Sequence, residues 1–195
     1  EGASFSLIVK DVHNGETVFA YDTLRQLTPA SVMKTVTTAT ALEILGEDYR
    51  FPTTLAYDGS IEKGLLKGNL YIKGSGDPSL GSAHFAPYHK RFLQEWISAL
   101  KKVGIHKIQG AVIADESIFD TEGTSFKWVG EDMGSYYGAG SYGLCVFDNL
   151  YKLGLQTGAP GSRPKLKGTE PELSGIHFHN YLTAQQVSSD SSFIV

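Results

Sequence analysis

The amino-acid sequence predicts a mixed α/β fold of the α+β type, with strands and helices alternating along the chain. Two β-rich runs flank Asn14-Gly15, a dipeptide typical of tight hairpins, in which both turn positions need a positive φ. Apolar residues recur at helical spacing over 31–45. A second helical stripe, over 87–103, precedes the strand-like segment 107–120.

The first helix has clear boundaries, with Pro29 just before its start and Gly46 just past its end. Four of its residues are threonines, which are poor helix formers, so packing rather than intrinsic propensity must hold it. We therefore expect this helix to be buried near the centre of a domain.

The segment 53–80 predicts a strand, a turn at Asp58-Gly59, a second turn at Lys67-Gly68, and a strand that ends in a glycine-rich loop. Gly104 closes the second helix. Residues 121–143 have the glycine-rich and aromatic composition of a long functional loop. The last stretch, 175–195, alternates like strands, and we expect the chain to end within a sheet.

Composition narrows the possible partners. With 17 basic and 21 acidic residues among 195, the net charge of -4 gives no reason to expect nucleic acid or an anionic membrane surface as partner. No apolar run approaches the roughly 20 residues of a membrane span. The N-terminus lacks a signal-peptide layout, so an exported form would already have lost its signal. One cysteine, Cys145, excludes an internal disulfide.

The pattern Ser-x-x-Lys carries the first chemical hypothesis, but it occurs four times: Ser31/Lys34, Ser60/Lys63, Ser98/Lys101 and Ser162/Lys165. Ser60 lies in a predicted turn, Ser98 lies in the middle of a helix, and Pro164 prevents a helix from joining the last pair. Only the pair within "TPASVMK" places a hydroxyl and an amine on one face at the start of a helix.

Ser31 and Lys34 therefore have two interpretations. Ser31 is a nucleophile and Lys34 its general base, with the helix N-terminus favouring the anion that forms when a hydroxyl attacks a carbonyl. Alternatively, Ser31 is an N-cap and Lys34 an exposed residue of the first turn, which is the commoner use of serine at that position.

Other catalytic patterns are absent from the sequence: no G-x-S-x-G elbow, phosphate-binding P-loop or H-E-x-x-H pair occurs. His177 and His179 would share one side of a strand, but no third ligand stands nearby, so we expect no metal cofactor. Asp132, in the loop "WVGEDMGSYYGAG", either faces water or lines a cleft that selects a cationic group.

Four segments in order resemble the penicillin-binding protein 4 type of D-alanyl-D-alanine carboxypeptidase/endopeptidase, a β-lactamase/transpeptidase-like fold with an inserted domain. They are "LTPASVMKTVTTATALEILGEDYRFPTTL", "GLLKGNLYIKGSGDPSL", "IQGAVIADESIFD" and "EDMGSYYGAG". The resemblance covers about residues 5–155. It implies that Ser31 is the acylated nucleophile, that Lys34 is its proton acceptor and that no cofactor takes part.

The same resemblance implies the substrate and the compartment. The partners would be peptidoglycan stem peptides, with β-lactam antibiotics as inhibitors that acylate the same serine. Asp132 maps to the aspartate of the family's "DM" loop on the inserted domain and would contact the free ammonium of a diaminopimelate side chain. The protein would act in the periplasm or elsewhere outside the cytoplasm.

Two elements of that family are missing from the sequence: neither Ser-x-Asn nor Lys-Thr-Gly occurs. The simplest explanation is truncation. Residues 1–80 would then be the N-terminal portion of the peptidase domain and 81–195 part of the inserted domain. We expect such a fragment to be inactive alone. Two alternatives stay open, namely a non-catalytic peptidoglycan-binding or scaffold relative and a β-lactamase or esterase of the same superfamily.

Overall fold

The computed structural model describes residues 2–85, 91–132 and 135–186. The chain forms two compact units, Glu1–Arg50 and Phe51–Val195, and each is described by itself. The mixed α/β character that the sequence predicts is present in the described residues, which form ten strands and two α-helices.

The first unit begins with the predicted hairpin. Strands β1 (Leu7–Lys10) and β2 (Thr17–Tyr21) pair in antiparallel fashion. The predicted turn geometry is wrong, because Gly15 has a positive φ of 76° and Asn14 does not. The strands are joined instead by a longer connection, in which Asn14 Oδ1 accepts a hydrogen bond from the Glu16 N–H at 2.8 Å. The asparagine thus stabilises the turn through its side chain.

A short 3-10 helix (Ala30–Val32) leads into helix α1 (Met33–Leu45), and Gly46 ends α1 with a φ of 82°. The predicted boundaries 31–45 are therefore correct to within two residues. The hydroxyl of Thr37 donates to the Met33 carbonyl at 3.2 Å, one turn earlier. Two of the threonines, Thr37 and Thr38, satisfy their hydroxyls within the helix in this way.

The expectation that α1 is buried is not met among the described residues. Every residue of α1 is exposed, including Val36 at 60% and Ile44 at 75%. The apolar side chains lie on all sides of α1, and the four- and five-residue strands of this unit are too short to cover a helix of 13 residues. A helix that is apolar all round is typical of the interior of a larger domain.

The second unit contains six short strands in two three-stranded sheets. They are β3 (Thr54–Tyr57), β4 (Ser60–Glu62), β5 (Leu65–Lys67), β6 (Leu70–Lys73), β7 (Lys107–Gln109) and β8 (Val112–Asp115). One sheet has the order β3-β6-β8 and the other β4-β5-β7. In each sheet the first pair is antiparallel and the second is parallel.

The six strands can be described as three longer strands, β3–β4, β5–β6 and β7–β8, each interrupted at the same level. One sheet contains the segments on one side of the interruptions, and the other sheet contains the segments on the other side. The hairpin turn between β4 and β5 lies at Lys63-Gly64, with φ values of 49° and 85°. The predicted turns at Asp58-Gly59 and Lys67-Gly68 are therefore wrong: Gly59 lies at a break between β3 and β4, and Gly68 at a break between β5 and β6. The single strand predicted over 107–120 likewise breaks at Gly110 into β7 and β8.

We call the three glycines at these breaks, Gly59, Gly68 and Gly110, the glycine seam. A Cβ on any of them would lie far inside van der Waals contact with a backbone oxygen of the neighbouring strand. The backbones approach this closely only because no side chain stands between them. Three strands can therefore bend together at one level.

A carboxylate bridges the glycine seam. Asp58 accepts hydrogen bonds from the Asn69 N–H at 2.6 Å, the Asn69 amide at 3.0 Å and the Tyr71 hydroxyl at 2.7 Å. Asn69 Oδ1 in turn accepts from the Ala111 N–H at 2.9 Å. The Asn69 backbone bond, followed by the Tyr71 hydroxyl, holds the pKa of Asp58 below its usual value. The bond to Asp58 also raises the pKa of the Tyr71 phenol.

Helix α2 (Phe92–Lys102) supplies the main aromatic contact of the core. Gly104 closes it as predicted, with a φ of 88°, whereas the predicted start at Pro87 lies outside the described residues. The buried Phe92 ring meets Trp96 edge-on at 4.9 Å and Phe147 at 5.6 Å between ring centroids. The buried apolar residues of the described chain are Leu66, Leu70, Leu80, Phe92, Ile105 and Ala184.

The strands predicted over 175–195 are wrong as far as residue 186, and the remainder lies outside the described residues. The sheet near the C-terminus is a hairpin of β9 (Lys152–Gln156) and β10 (Lys165–Glu170). The later segment packs back on the connection between these strands, where the Ala184 N–H donates to the Ser162 carbonyl at 2.8 Å. Its alternation reflects which side chains this contact buries.

The domain division at residue 80 stays a prediction. In the structure the boundary between the two compact units falls after Arg50. Strands from 54–73 pair with strands from 107–115 in both three-stranded sheets.

Candidate active site

Ser31 and Lys34 meet at the start of α1. The Lys34 Nζ group donates a hydrogen bond to Ser31 Oγ at 2.9 Å. Ser31 lies in the 3-10 helix and Lys34 is the second residue of α1, so one turn of backbone holds both side chains on the same face. A hydroxyl and an amine at this separation are within reach of direct proton transfer.

The N-cap interpretation of Ser31 does not match this geometry, although Lys34 is exposed in the first turn of α1, as that interpretation expected. Pro29 occupies the cap position of the 3-10 helix and Val32 that of α1, and neither helix has a side-chain cap hydrogen bond. The Ser31 hydroxyl is instead engaged with the Lys34 side chain. Its environment is therefore that of an amine-paired hydroxyl at a helix start.

The residue before Ser31 has an unusual backbone conformation. Ala30 has a φ of 45°, in the left-handed region that non-glycine residues seldom occupy. Such a conformation costs an alanine about 1 kcal/mol. Strain of this kind is often found where a chain presents a functional side chain, and here it immediately precedes the serine that faces Lys34.

The other three Ser-x-x-Lys pairs do not form this contact. Ser60 begins β4 while Lys63 lies in the hairpin turn, Ser98 and Lys101 both lie in α2, and the Ser162 hydroxyl donates to the Ala159 carbonyl at 2.6 Å. All eight residues belong to the described chain, and among these four pairs a hydrogen bond from the lysine amine to the serine hydroxyl is present in the first alone.

Asp132 ends a 3-10 helix (Gly130–Asp132) in the second unit, and its side chain is exposed. Its carbonyl accepts hydrogen bonds from the Ser135 N–H at 3.1 Å and the Ser135 hydroxyl at 2.7 Å. Asp132 belongs to the second unit and the Ser31–Lys34 pair to the first. The roles of all three residues stay predictions.

The described residues contain no group of three or more His, Cys, Asp or Glu side chains placed to hold a metal ion. His177 and His179 do not lie on a strand. Within the same described ranges, no helix is long and apolar enough to cross a membrane.

Comparison with known proteins identifies the family. Residues 1–193 match the model of the D-Ala-D-Ala carboxypeptidase 3 (S13) family. The chain belongs to this family of serine D-Ala-D-Ala carboxypeptidases and penicillin-binding proteins, which confirms the family that the sequence motifs indicated.

Two curated relatives show the extent of the similarity. The chain is 29% identical over 133 residues to the D-alanyl-D-alanine carboxypeptidase DacB of Haemophilus influenzae, covering 68% of this chain and 26% of that protein. It is 33% identical over 146 residues to a D-alanyl-D-alanine carboxypeptidase of Actinomadura sp. (strain R39), covering 75% and 26%. The chain thus spans about a quarter of each relative's length.

Solved structures agree on the fold. The crystal structure of penicillin-binding protein 4 (dacB) from Haemophilus influenzae matches with a TM-score of 0.69 at 28% identity, covering 82% of this chain and 34% of that one. The same protein complexed with a novel β-lactam matches with a TM-score of 0.58 at 26% identity, covering 83% and 32%. The mixed α/β fold therefore corresponds to about a third of those structures.

Proposed function

We propose that this chain supplies the nucleophile and the general base of a serine-type D-Ala-D-Ala carboxypeptidase/endopeptidase that acts on peptidoglycan peptides. The observation that carries the proposal is the 2.9 Å contact between Lys34 Nζ and Ser31 Oγ at a helix start, in a chain of the S13 family. Ser31 is the nucleophile and Lys34 accepts its proton.

In the proposed reaction, Ser31 is first acylated by the substrate and then released by water. Lys34 accepts the proton of the Ser31 hydroxyl, and Oγ forms a bond to the carbonyl carbon of the penultimate D-Ala. The C–N bond to the terminal D-Ala breaks, and Lys34 returns the proton to the departing amine. Water then hydrolyses the serine ester and regenerates the hydroxyl. The start of α1 directs backbone N–H groups and positive potential toward the oxygen that gains charge.

Asp132 is proposed to select the substrate. Its exposed carboxylate, in a loop rich in glycine and aromatic residues, suits a cationic group such as the side-chain ammonium of diaminopimelate. Peptidoglycan lies outside the cytoplasm, so the proposal implies a periplasmic or other extracytoplasmic location. β-Lactams, which mimic the D-Ala-D-Ala amide, would acylate the same serine.

The 195 residues alone are proposed not to turn over substrate. The sequence contains neither Ser-x-Asn nor Lys-Thr-Gly, the elements that in this superfamily complete the catalytic site and bind the substrate carboxylate. A nucleophile and its base without these groups lack most of the positioning that catalysis requires.

The test is the intact mass of the full-length protein after incubation with benzylpenicillin. We expect one covalent adduct, absent from Ser31→Ala and retained in Ser98→Ala, which removes a serine of the same Ser-x-x-Lys spacing. Lys34→Gln is expected to slow adduct formation by roughly 10²- to 10⁴-fold, because the general base is lost.

Each contrary outcome supports a named alternative. If the folded full-length wild-type protein forms no adduct, the chain belongs to a non-catalytic peptidoglycan-binding or scaffold relative. If nitrocefin is hydrolysed much faster than a D-Ala-D-Ala peptide, the activity is that of a β-lactamase or esterase.

A further inference from the structure

The loop that carries Asp132 is closed at its base by a compact cluster of contacts, which we call the neck. The Ser141 N–H donates to the Gly123 carbonyl at 2.9 Å, so the two ends of the loop meet. The Tyr142 ring lies against both ends: a Cβ on Gly123 would stand 2.8 Å, and one on Gly140 2.7 Å, from the ring atom Cε2. Neither end therefore has room for a side chain while the ring stays in place.

A second contact ties the neck to the chain beyond it. The Asn149 side-chain amide donates to the Gly140 carbonyl at 3.1 Å. This asparagine belongs to a turn of three successive left-handed residues, Phe147, Asp148 and Asn149, with φ values of 55°, 58° and 53°. Left-handed backbone costs about 1 kcal/mol or more at each non-glycine residue, although Asp and Asn tolerate it best.

The strained turn is anchored to the core. The Phe147 N–H donates to the Leu80 carbonyl at 2.8 Å, and the Phe147 ring packs edge-on against the buried Phe92 of α2. The left-handed backbone lets one short turn direct the Phe147 ring into the core while the Asn149 amide reaches Gly140. The turn thus connects the base of the loop to the buried residues Leu80 and Phe92.

We propose that Asn149, together with the Tyr142 ring, is a positioning residue for substrate selection. By fixing the neck, the two side chains hold the loop so that Asp132 presents its carboxylate in one place. Neither residue touches substrate; each acts through the loop. This inference rests on the proposed role of Asp132 in binding a side-chain ammonium.

The first experiment examines the neck independently of catalysis, by hydrogen–deuterium exchange of the intact protein. Asn149→Asp keeps the size and the left-handed tolerance of the residue but cannot donate to Gly140. Asn149→Gly also keeps the left-handed backbone. In both variants we expect the amide of Ser141 to exchange on the order of five-fold faster, the effect of losing one hydrogen bond. Asp148→Asn, the matched control in the same turn, should leave its exchange unchanged.

The second experiment measures KM and kcat for two D-Ala-D-Ala peptides, one with a free side-chain ammonium and one acetylated at that amine. We expect Asn149→Asp to raise KM for the free amine on the order of five-fold, with kcat and both constants for the acetylated peptide unchanged. Asp132→Asn should likewise raise KM for the free amine more than KM for the acetylated peptide. If the protein does not turn over peptide, calorimetric affinities for the two peptides replace KM.

The outcomes separate the two proposals. Failure of Ser31 to form a penicillin adduct contradicts the proposed function and leaves the exchange result unaffected. Unchanged exchange in both Asn149 variants overturns the neck as a restraint. Faster exchange with equal effects on the two peptides, or with none, overturns the positioning role.

Discussion

Replacing Gly110 by alanine should destabilise the second unit, because the added methyl group would force the strands apart at the glycine seam. The new Cβ would stand 2.7 Å from the Gly68 carbonyl carbon and closer still to its oxygen, and 3.0 Å from Asn69 Oδ1. The first two atoms are backbone of the neighbouring strand, which cannot rotate away as the end of a side chain could.

The magnitude follows from three contributions. Overpacking against an ordered backbone costs typically 1–3 kcal/mol. Separating the strands stretches the 2.9 Å hydrogen bond from the Ala111 N–H to Asn69 Oδ1, which contributes about 1 kcal/mol. Alanine recovers roughly 0.4–1 kcal/mol by restricting the unfolded chain. We therefore expect the free energy of unfolding to fall by about 2 kcal/mol.

The assay is urea unfolding followed by circular dichroism. With an m-value of about 2–3 kcal/mol/M, the midpoint should fall by roughly 1 M. Gly130→Ala is the matched control, because its Cβ would have no atom within 4 Å and its φ is not in the left-handed region. A Gly110→Ala midpoint equal to that of Gly130→Ala would refute the close approach of the strands.

Two further predictions concern the same unit. The pKa of Asp58 is below its usual value in the folded protein. The hydrogen bonds of the Asp58 carboxylate therefore contribute fully to stability above the unfolded-state pKa of about 3.9, and this contribution is lost as pH falls through the lower folded-state pKa. Asp58→Asn should flatten that part of the pH dependence of the unfolding midpoint; a profile parallel to wild type contradicts the bridge. Phe92→Ala should cost about 3–5 kcal/mol, since a buried ring in contact with Trp96 and Phe147 is removed. Thermal unfolding measures it, with the exposed Leu93→Ala as control, and equal losses would contradict the assigned core.

The parts of the fold that were predicted correctly depend on neighbours in sequence. Helix α1 lies within two residues of its expected bounds because Pro29 and Gly46 act locally as start and stop signals. The Ser31–Lys34 contact follows from a spacing of three residues on one helix. The first hairpin lies where the sequence predicts it, between two β-rich runs that flank Asn14-Gly15, although its turn is not of the predicted type.

The errors arose where alternation or a glycine had more than one structural meaning. Asp58-Gly59 and Lys67-Gly68 each predict a turn, whereas Gly59 and Gly68 lie where strands from three parts of the chain bend together. The alternation over 175–186 reflects contact with the preceding hairpin rather than strand pairing. The alternation of apolar residues along a segment shows which side chains face inward, but not which other segment covers them.

The amino-acid sequence by itself determined the helix start, the pairing of Ser31 with Lys34 and the family motifs, because these depend on residues a few positions apart. Only the tertiary structure showed the glycine seam, whose members are up to 51 positions apart, from Gly59 to Gly110, and the bond from Asn149 to Gly140. Strand pairing and a left-handed turn bring these residues together, and neither leaves a local pattern that specifies its partner. The composition of the segment predicts the loop that carries Asp132, whereas the neck that closes it depends on contacts between residues distant in sequence.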